Sequence, residues 1–241
     1  MVYCIPPLNL ASVFRQGGGK MFQKLLFLGI AIYGFSAQAA QLPWEIGEVT
    51  VRQVSEQSLV APDPSSADCG NFVTPKDFGI GPSEIITIGE KLWDIVIAGK
   101  PKVNVVTPTV AALPAGTTCW ADLAGWHPPK SQIYSVSYKN LMGIEVVHMN
   151  FRLQFAYGGS KNGTGKYLSG VTMLPADLSV IWGYDFNASV AADQAINMGT
   201  TADPIAGIGL TLKWAIKTPI DETDNSINFF VQGDGQVIKN D

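Results

Sequence analysis

Hydrophobic and polar residues alternate along most of the second half of this chain. In "GIEVVHMNFRLQFAYGG", Val147, Met149, Phe151, Leu153, Phe155 and Tyr157 fall on one face, and His148, Asn150, Arg152 and Gln154 on the other. A period of two predicts a strand with one buried face. "SQIYSVSYKN" sets Tyr134, Val136 and Tyr138 against Ile133, Ser135 and Ser137. "KYLSGVTML" follows as a strand. "DLSVIWGYDFNASV" aligns Leu178, Val180, Trp182, Tyr184 and Phe186, and "GIGLTLKWAIK" aligns Ile208, Leu210, Leu212, Trp214 and Ile216. "SINFFVQ" and "QVIK" flank Gly233-Asp234-Gly235, a hairpin turn signal. "KVNVV" predicts a further short strand.

One segment has a different spacing. In "GPSEIITIGEKLWDIVIAGKP", Ile85, Ile88, Leu92, Ile95 and Val96 recur every three or four residues. Pro82, Ser83 and Glu84 suit a helix start, and Gly99 and Pro101 a stop. The spacing predicts a helix over 83–98, buried because Ile86, Trp93 and Ile97 widen its apolar surface. Its small, non-basic polar face disfavours membrane insertion. No helix separates the later strands, so they pair antiparallel. The expected fold is mainly β: an antiparallel β-sandwich with one packed α-helix, over residues 83–241. Residues 40–82 are expected as an irregular arm. "EIGEVTVRQV" offers a short strand there, and "APDPSSADCG" is rich in turn formers.

The N-terminus changes the compartment. From Met21 the chain has the order of a secretory signal: Lys24, an apolar run from Leu25 to Phe35, and Ala37-Gln38-Ala39 as a small-x-small cleavage site. The run is too short to span a bilayer. Residues 21–39 are therefore expected to be a signal peptide, and the destination periplasmic or secreted. Residues 1–20 match no targeting pattern and are expected to be translated upstream sequence before the true start. Removing residues 1–39 takes Arg15, Lys20 and Lys24 from 16 basic residues. That leaves 13 against 20 acidic ones, a net −7. Such a charge disfavours nucleic-acid binding, which needs a basic surface, and polybasic docking on anionic lipid. After signal cleavage no stable membrane span is expected.

The mature chain keeps two of three cysteines. Cys69 and Cys119, an even pair in an exported chain, are expected to form a disulfide. Two cysteines and two distant histidines show no metal-ligand spacing, and no cofactor is expected.

Candidate chemistry is sparse. "GGSKNGTGK" fails as a phosphate loop: Ser160 stands where the first glycine belongs, and Tyr167 where a Ser or Thr should hold magnesium. It is expected as a glycine-rich turn between strands, with Lys161 and Asn162 as a contact loop. No nucleophile elbow is present, and neither His127 nor His148 has a sequence-visible catalytic partner. Asp177, Asp185, Asp203 and Asp221 are expected at strand ends or on polar faces. No catalytic residue is assigned. The most distinctive stretch is "TTCWADLAGWHPPK". Its Trp120, Trp126 and His127 are the candidate ligand-binding residues, because exported aromatic loops stack on sugar rings or anchor partner proteins. Packing of the two tryptophans over the disulfide and sandwich edge is the competing role.

This loop and "GEKLWDIVIAGKP" resemble stretches of uncharacterised secreted proteins from predatory Gram-negative bacteria. The resemblance spans most of the mature chain, contains no catalytic motif and implies export. The function favoured by the sequence is a non-enzymatic exported binding or structural protein with a carbohydrate or protein ligand. A small outer-membrane β-barrel, a secreted hydrolase with an inapparent carboxylate pair, and a pore-forming toxin with a detachable 83–98 helix stand as alternatives.

Overall fold

The computed structural model describes residues 45–58, 85–89, 92–97, 100–101 and 109–240. Cys69, the "APDPSSADCG" loop and "KVNVV" lie outside the described residues, as do the leader and signal segments.

Among the described residues, thirteen strands make two antiparallel sheets. The first contains β1 (Ile46–Ser58), β2 (Ile85–Gly89), β5 (Val110–Pro114), β6 (His127–Asn140), β7 (Glu145–Lys161) and β8 (Thr164–Val180), in the order β1-β6-β7-β8-β5-β2. The second contains β3 (Leu92–Ile97), β4 (Lys100–Pro101), β9 (Asp185–Ala192), β11 (Ala206–Lys217), β12 (Glu222–Gln232) and β13 (Val237–Asn240), in the order β13-β12-β11-β9-β3-β4. The two-residue β10 (Ile196–Asn197) pairs with β11. The expected sandwich architecture is present, and its core lies between the sheets.

The alternating residues face that core as expected. Val147, Met149, Phe151, Leu153 and Phe155 of β7 are buried, as are Ile208, Leu210, Leu212, Trp214 and Ile216 of β11. Aromatic rings join the layers. Tyr134 of β6 stacks on Phe151 at 5.4 Å, and Phe229 of β12 meets both edge-on, at 4.7 and 5.7 Å. Trp93 of β3 donates a hydrogen bond across the core to the Met173 carbonyl of β8, at 3.3 Å. Large flat side chains supply much of the buried area and also fix a specific geometry.

The helix expected over 83–98 is corrected: this segment forms β2 and β3. Seven of the thirteen residues from Ile85 to Ile97 are β-branched, namely Ile85, Ile86, Thr87, Ile88, Ile95, Val96 and Ile97. Their restricted χ1 favours the extended chain. In β2, Ile85 to Ile88 are buried or half-buried on both faces, and such a run matches helical spacing by chance. Gly89 breaks the run with φ +111°, and a Cβ there would sit 2.1 Å from the Thr109 carbonyl oxygen. The chain turns here from the edge of one sheet into the other. A toxin mechanism that detaches this helix has no helix to use. Among the described residues, no helix is long and apolar enough to cross a membrane.

Two further boundaries differ from expectation. The strand in "EIGEVTVRQV" runs to Ser58 and pairs with β6 along its length. "DLSVIWGYDFNASV" is not one strand: β8 ends at Val180, residues 181–184 turn, and β9 starts in the other sheet. Gly183, at φ +89°, permits that turn. Trp182 is consequently 89% exposed rather than in register with the core.

Candidate functional site

The loop that follows β5 carries Trp120, Trp126 and His127 onto the outer face of the first sheet. Cys119 precedes a single turn of 3-10 helix, Trp120–Asp122, closed by Leu123 N–H donating to the Trp120 carbonyl at 3.1 Å. Leu123 is buried and anchors the turn. The loop is then strapped to β7: Ala124 and Ser160 exchange backbone hydrogen bonds of 3.0 and 2.7 Å, and Ser160 Oγ donates to the Ala124 carbonyl.

These contacts hold the two indoles in a fixed relation. Trp126 Nε1 donates to the Trp120 carbonyl at 3.0 Å, and the rings meet edge to face at 6.3 Å. Gly159 makes room for this arrangement, since a Cβ there would lie 2.4 Å from the Trp126 ring. His127 stacks on Tyr157 at 4.9 Å. Lys130 Nζ sits 5.7 Å from the Tyr157 ring centre, donates to the Gly235 carbonyl at 2.9 Å and lies 3.6 Å from Glu56. A cation, a phenol ring and an imidazole thus brace one flank.

Between these groups opens a cleft of about 550 Å³. Trp120, Trp126 and Leu123 supply apolar walls, while His127, Gln154 and Ser169 supply polar groups. Apolar walls with a few converging polar groups are the usual make-up of a small-ligand site. The three residues singled out in the sequence are therefore brought together. Lys161 and Asn162 are near but not in the cleft. They bound the β7–β8 hairpin, where Asn162 (φ +54°) and Gly163 (φ +76°) form the two-residue turn; Asn-Gly favours such a turn because both positions need positive φ. Lys161 Nζ donates to Thr117 Oγ1 at 3.1 Å, which ties the hairpin to the aromatic loop.

Sequence reasoning placed a polar row on one face of β7 but missed that it continues from the cleft. His148, Asn150, Arg152 and Gln154 share the outer face of β7, and Gln154 lines the cleft. His148 Nδ1, Asn150 Oδ1 and Arg152 Nε are buried without a hydrogen-bond partner in the protein. His148 Nδ1 is 3.5 Å from Glu145 Oε1, an ion-pair distance rather than a hydrogen bond. Buried polar atoms of this kind call for water or a ligand. The alternation predicted their shared face, but nothing in the sequence predicted their lack of partners.

A wider hollow, about 740 Å³, lies on the outer face of the second sheet between Asp94, Asn187, Ser189, Lys213, Asp224 and Ser226. Among the described residues, no three His, Cys, Asp or Glu side chains gather as a metal site.

The fold and the cleft define an antiparallel β-sandwich with a loop-built aromatic cleft on one sheet. Comparison of the chain with protein-family models, curated proteins and solved structures finds no match.

Proposed function

We propose that the protein is an exported binding protein whose cleft at Trp120, Trp126 and His127 takes a carbohydrate. The convergence of these three residues with Gln154 and Ser169 in one cleft carries this reading. Sugar rings present an apolar face that stacks on an indole and a hydroxyl rim that needs donors and acceptors, and the cleft offers both. The row from Gln154 to His148 extends the site along β7, which favours an oligosaccharide over a single ring. A concave site of this volume suits a ring better than the broad surface of a partner protein.

Export rests on the signal-like segment 21–39 and on the Cys69–Cys119 pair. The half-buried Cys119, directly before the 3-10 turn, would anchor the aromatic loop to the segment around Cys69. The outer faces of the strands carry polar rows such as Ser189, Lys213 and Ser226, which favours a water-facing sandwich over a membrane barrel with apolar outer faces.

The test is an oligosaccharide array probed with the protein and with Trp126→Ala and Gln154→Leu. Selective binding weakened by both substitutions supports the reading. Equal binding by all three proteins, or none to any glycan, removes it.

A further inference from the structure

Three turns meet at the end of the sandwich remote from the cleft. They are 140–144 between β6 and β7, 181–184 between β8 and β9, and 218–221 between β11 and β12. Ile181 N–H donates to the Val146 carbonyl, and the 181–184 turn borders one hollow with Lys217, Thr218 and Pro219. Leu141, Met142, Ile144, Ile181, Trp182 and Ile220 are all exposed there, Trp182 at 89% and Met142 at 60%. Six of the eleven exposed large hydrophobic side chains of the described residues thus crowd onto one tip. Scattered surface hydrophobics are ordinary, but a cluster of this kind marks an interaction surface.

We infer that this tip docks the protein on a zwitterionic lipid surface, with the three turns inserted at the membrane–water interface. Three observations select lipid. Apart from Asp221, the turns 140–144, 181–184 and 218–221 contain no charged side chain. Trp182 is the most exposed of the six apolar residues, and tryptophan favours the headgroup level of a bilayer.

The third is that every backbone N–H of the 140–144 turn has an acceptor in the protein. Asn140 Oδ1 accepts from Met142 N at 3.1 Å and Ile144 N at 2.9 Å, and the Asn140 carbonyl accepts from Gly143 N at 2.8 Å. Leu141 N donates to the Glu45 carbonyl, Tyr184 N to the Ile181 carbonyl, and Ile220 N to Thr218 Oγ1. A segment entering a low-dielectric layer must bring its hydrogen bonds with it.

The collar behind the tip sets the lipid class. Glu145, Asp185, Asp221 and Glu222 outnumber Lys139 and Lys217 at the adjoining strand ends. This acidic excess repels strongly anionic membranes and would set like charges against each other in a tip-to-tip dimer. Ala156, on the cleft wall, lies eleven residues along β7 from Glu145, about 35 Å at the usual rise per residue. Docking would therefore hold the aromatic cleft clear of the lipid, while the His148 end of the polar row lies within about 10 Å of the collar.

The test is co-sedimentation of the full chain with phosphatidylcholine vesicles, compared with vesicles enriched in phosphatidylglycerol. The expected result is binding to phosphatidylcholine that survives high salt and falls about tenfold in Trp182→Asp. Ile220→Asp, on a separate turn, should weaken it in the same direction. The exposure of both residues keeps folding out of the readout, and a thermal melt checks this. Several outcomes overturn the proposal: no sedimentation with phosphatidylcholine, binding unchanged by both substitutions, salt-sensitive binding to phosphatidylglycerol alone, or a lipid-free dimer that Trp182→Asp dissociates. None of these bears on the cleft, which is probed by separate substitutions.

Discussion

Trp214 Nε1 donates a 2.5 Å hydrogen bond to the Tyr138 hydroxyl, linking β11 of one sheet to β6 of the other through the buried core. An indole N–H has one hydrogen to give and no other partner to exchange it for inside a core. Tyr138→Phe is expected to lower stability by about 1–3 kcal/mol, because the donor stays buried and loses its acceptor. Urea unfolding measures this. Adding Trp214→Phe should cost less than it does alone, since the two residues act as a pair.

The same tyrosines set an alkaline limit. Burial pushes Tyr138 up from 10.0 to about 12, against the pull of hydrogen bonds with Trp214 and Asn225. Burial also pushes Tyr134 up to about 12, with the charge of Glu56 adding to it. Above pH 10 the unfolded chain loses these protons while the folded chain keeps them. Their contribution is therefore whole below pH 10 and is lost as pH rises through about 12. The urea midpoint should fall across that window, and less steeply in Tyr134→Phe. A midpoint that rises there would contradict the assignment.

Gly159 controls the cleft. An added methyl would meet the Trp126 ring at 2.4 Å, so Gly159→Ala should displace the indole and leave the sandwich core in place. Acrylamide should quench Trp126 more readily in the variant, and glycan binding should drop with it. An unchanged quenching profile would show that the ring is held elsewhere.

The Cys69–Cys119 pair is a prediction of its own. The intact mass of the exported protein should rise by two hydrogens on reduction. Cys119→Ser should cost about 3–4 kcal/mol on the chain-entropy estimate for a loop of about 50 residues. Two free thiols after trapping would refute the bridge.

The long amphipathic strands were legible in the sequence because one buried face imposes a period of two, as β7 and β11 show. The segment from Ile85 to Ile97 was not, because Ile85 to Ile88 are buried or half-buried on both faces, which erases that period and leaves helical spacing by coincidence. Its β-branched residues and Gly89 were the available signal. Trp182 was misplaced for a related reason: apolar residues run on through the turn, and only Gly183 marks the break. In the cleft, Trp120, Trp126 and His127 come from one distinctive loop and could be named in advance. Gln154 and Ser169 join them through the pairing of β7 and β8 and the strap at Ser160, which no local pattern encodes.

The central claim is that a sugar ring stacks in the cleft against Trp126. Saturation-transfer NMR with the glycans selected on the array tests it most directly. The account predicts transfer from the protein to protons on one face of the sugar ring, lost in Trp126→Ala. Transfer that persists in that variant, or none from any glycan, would contradict it.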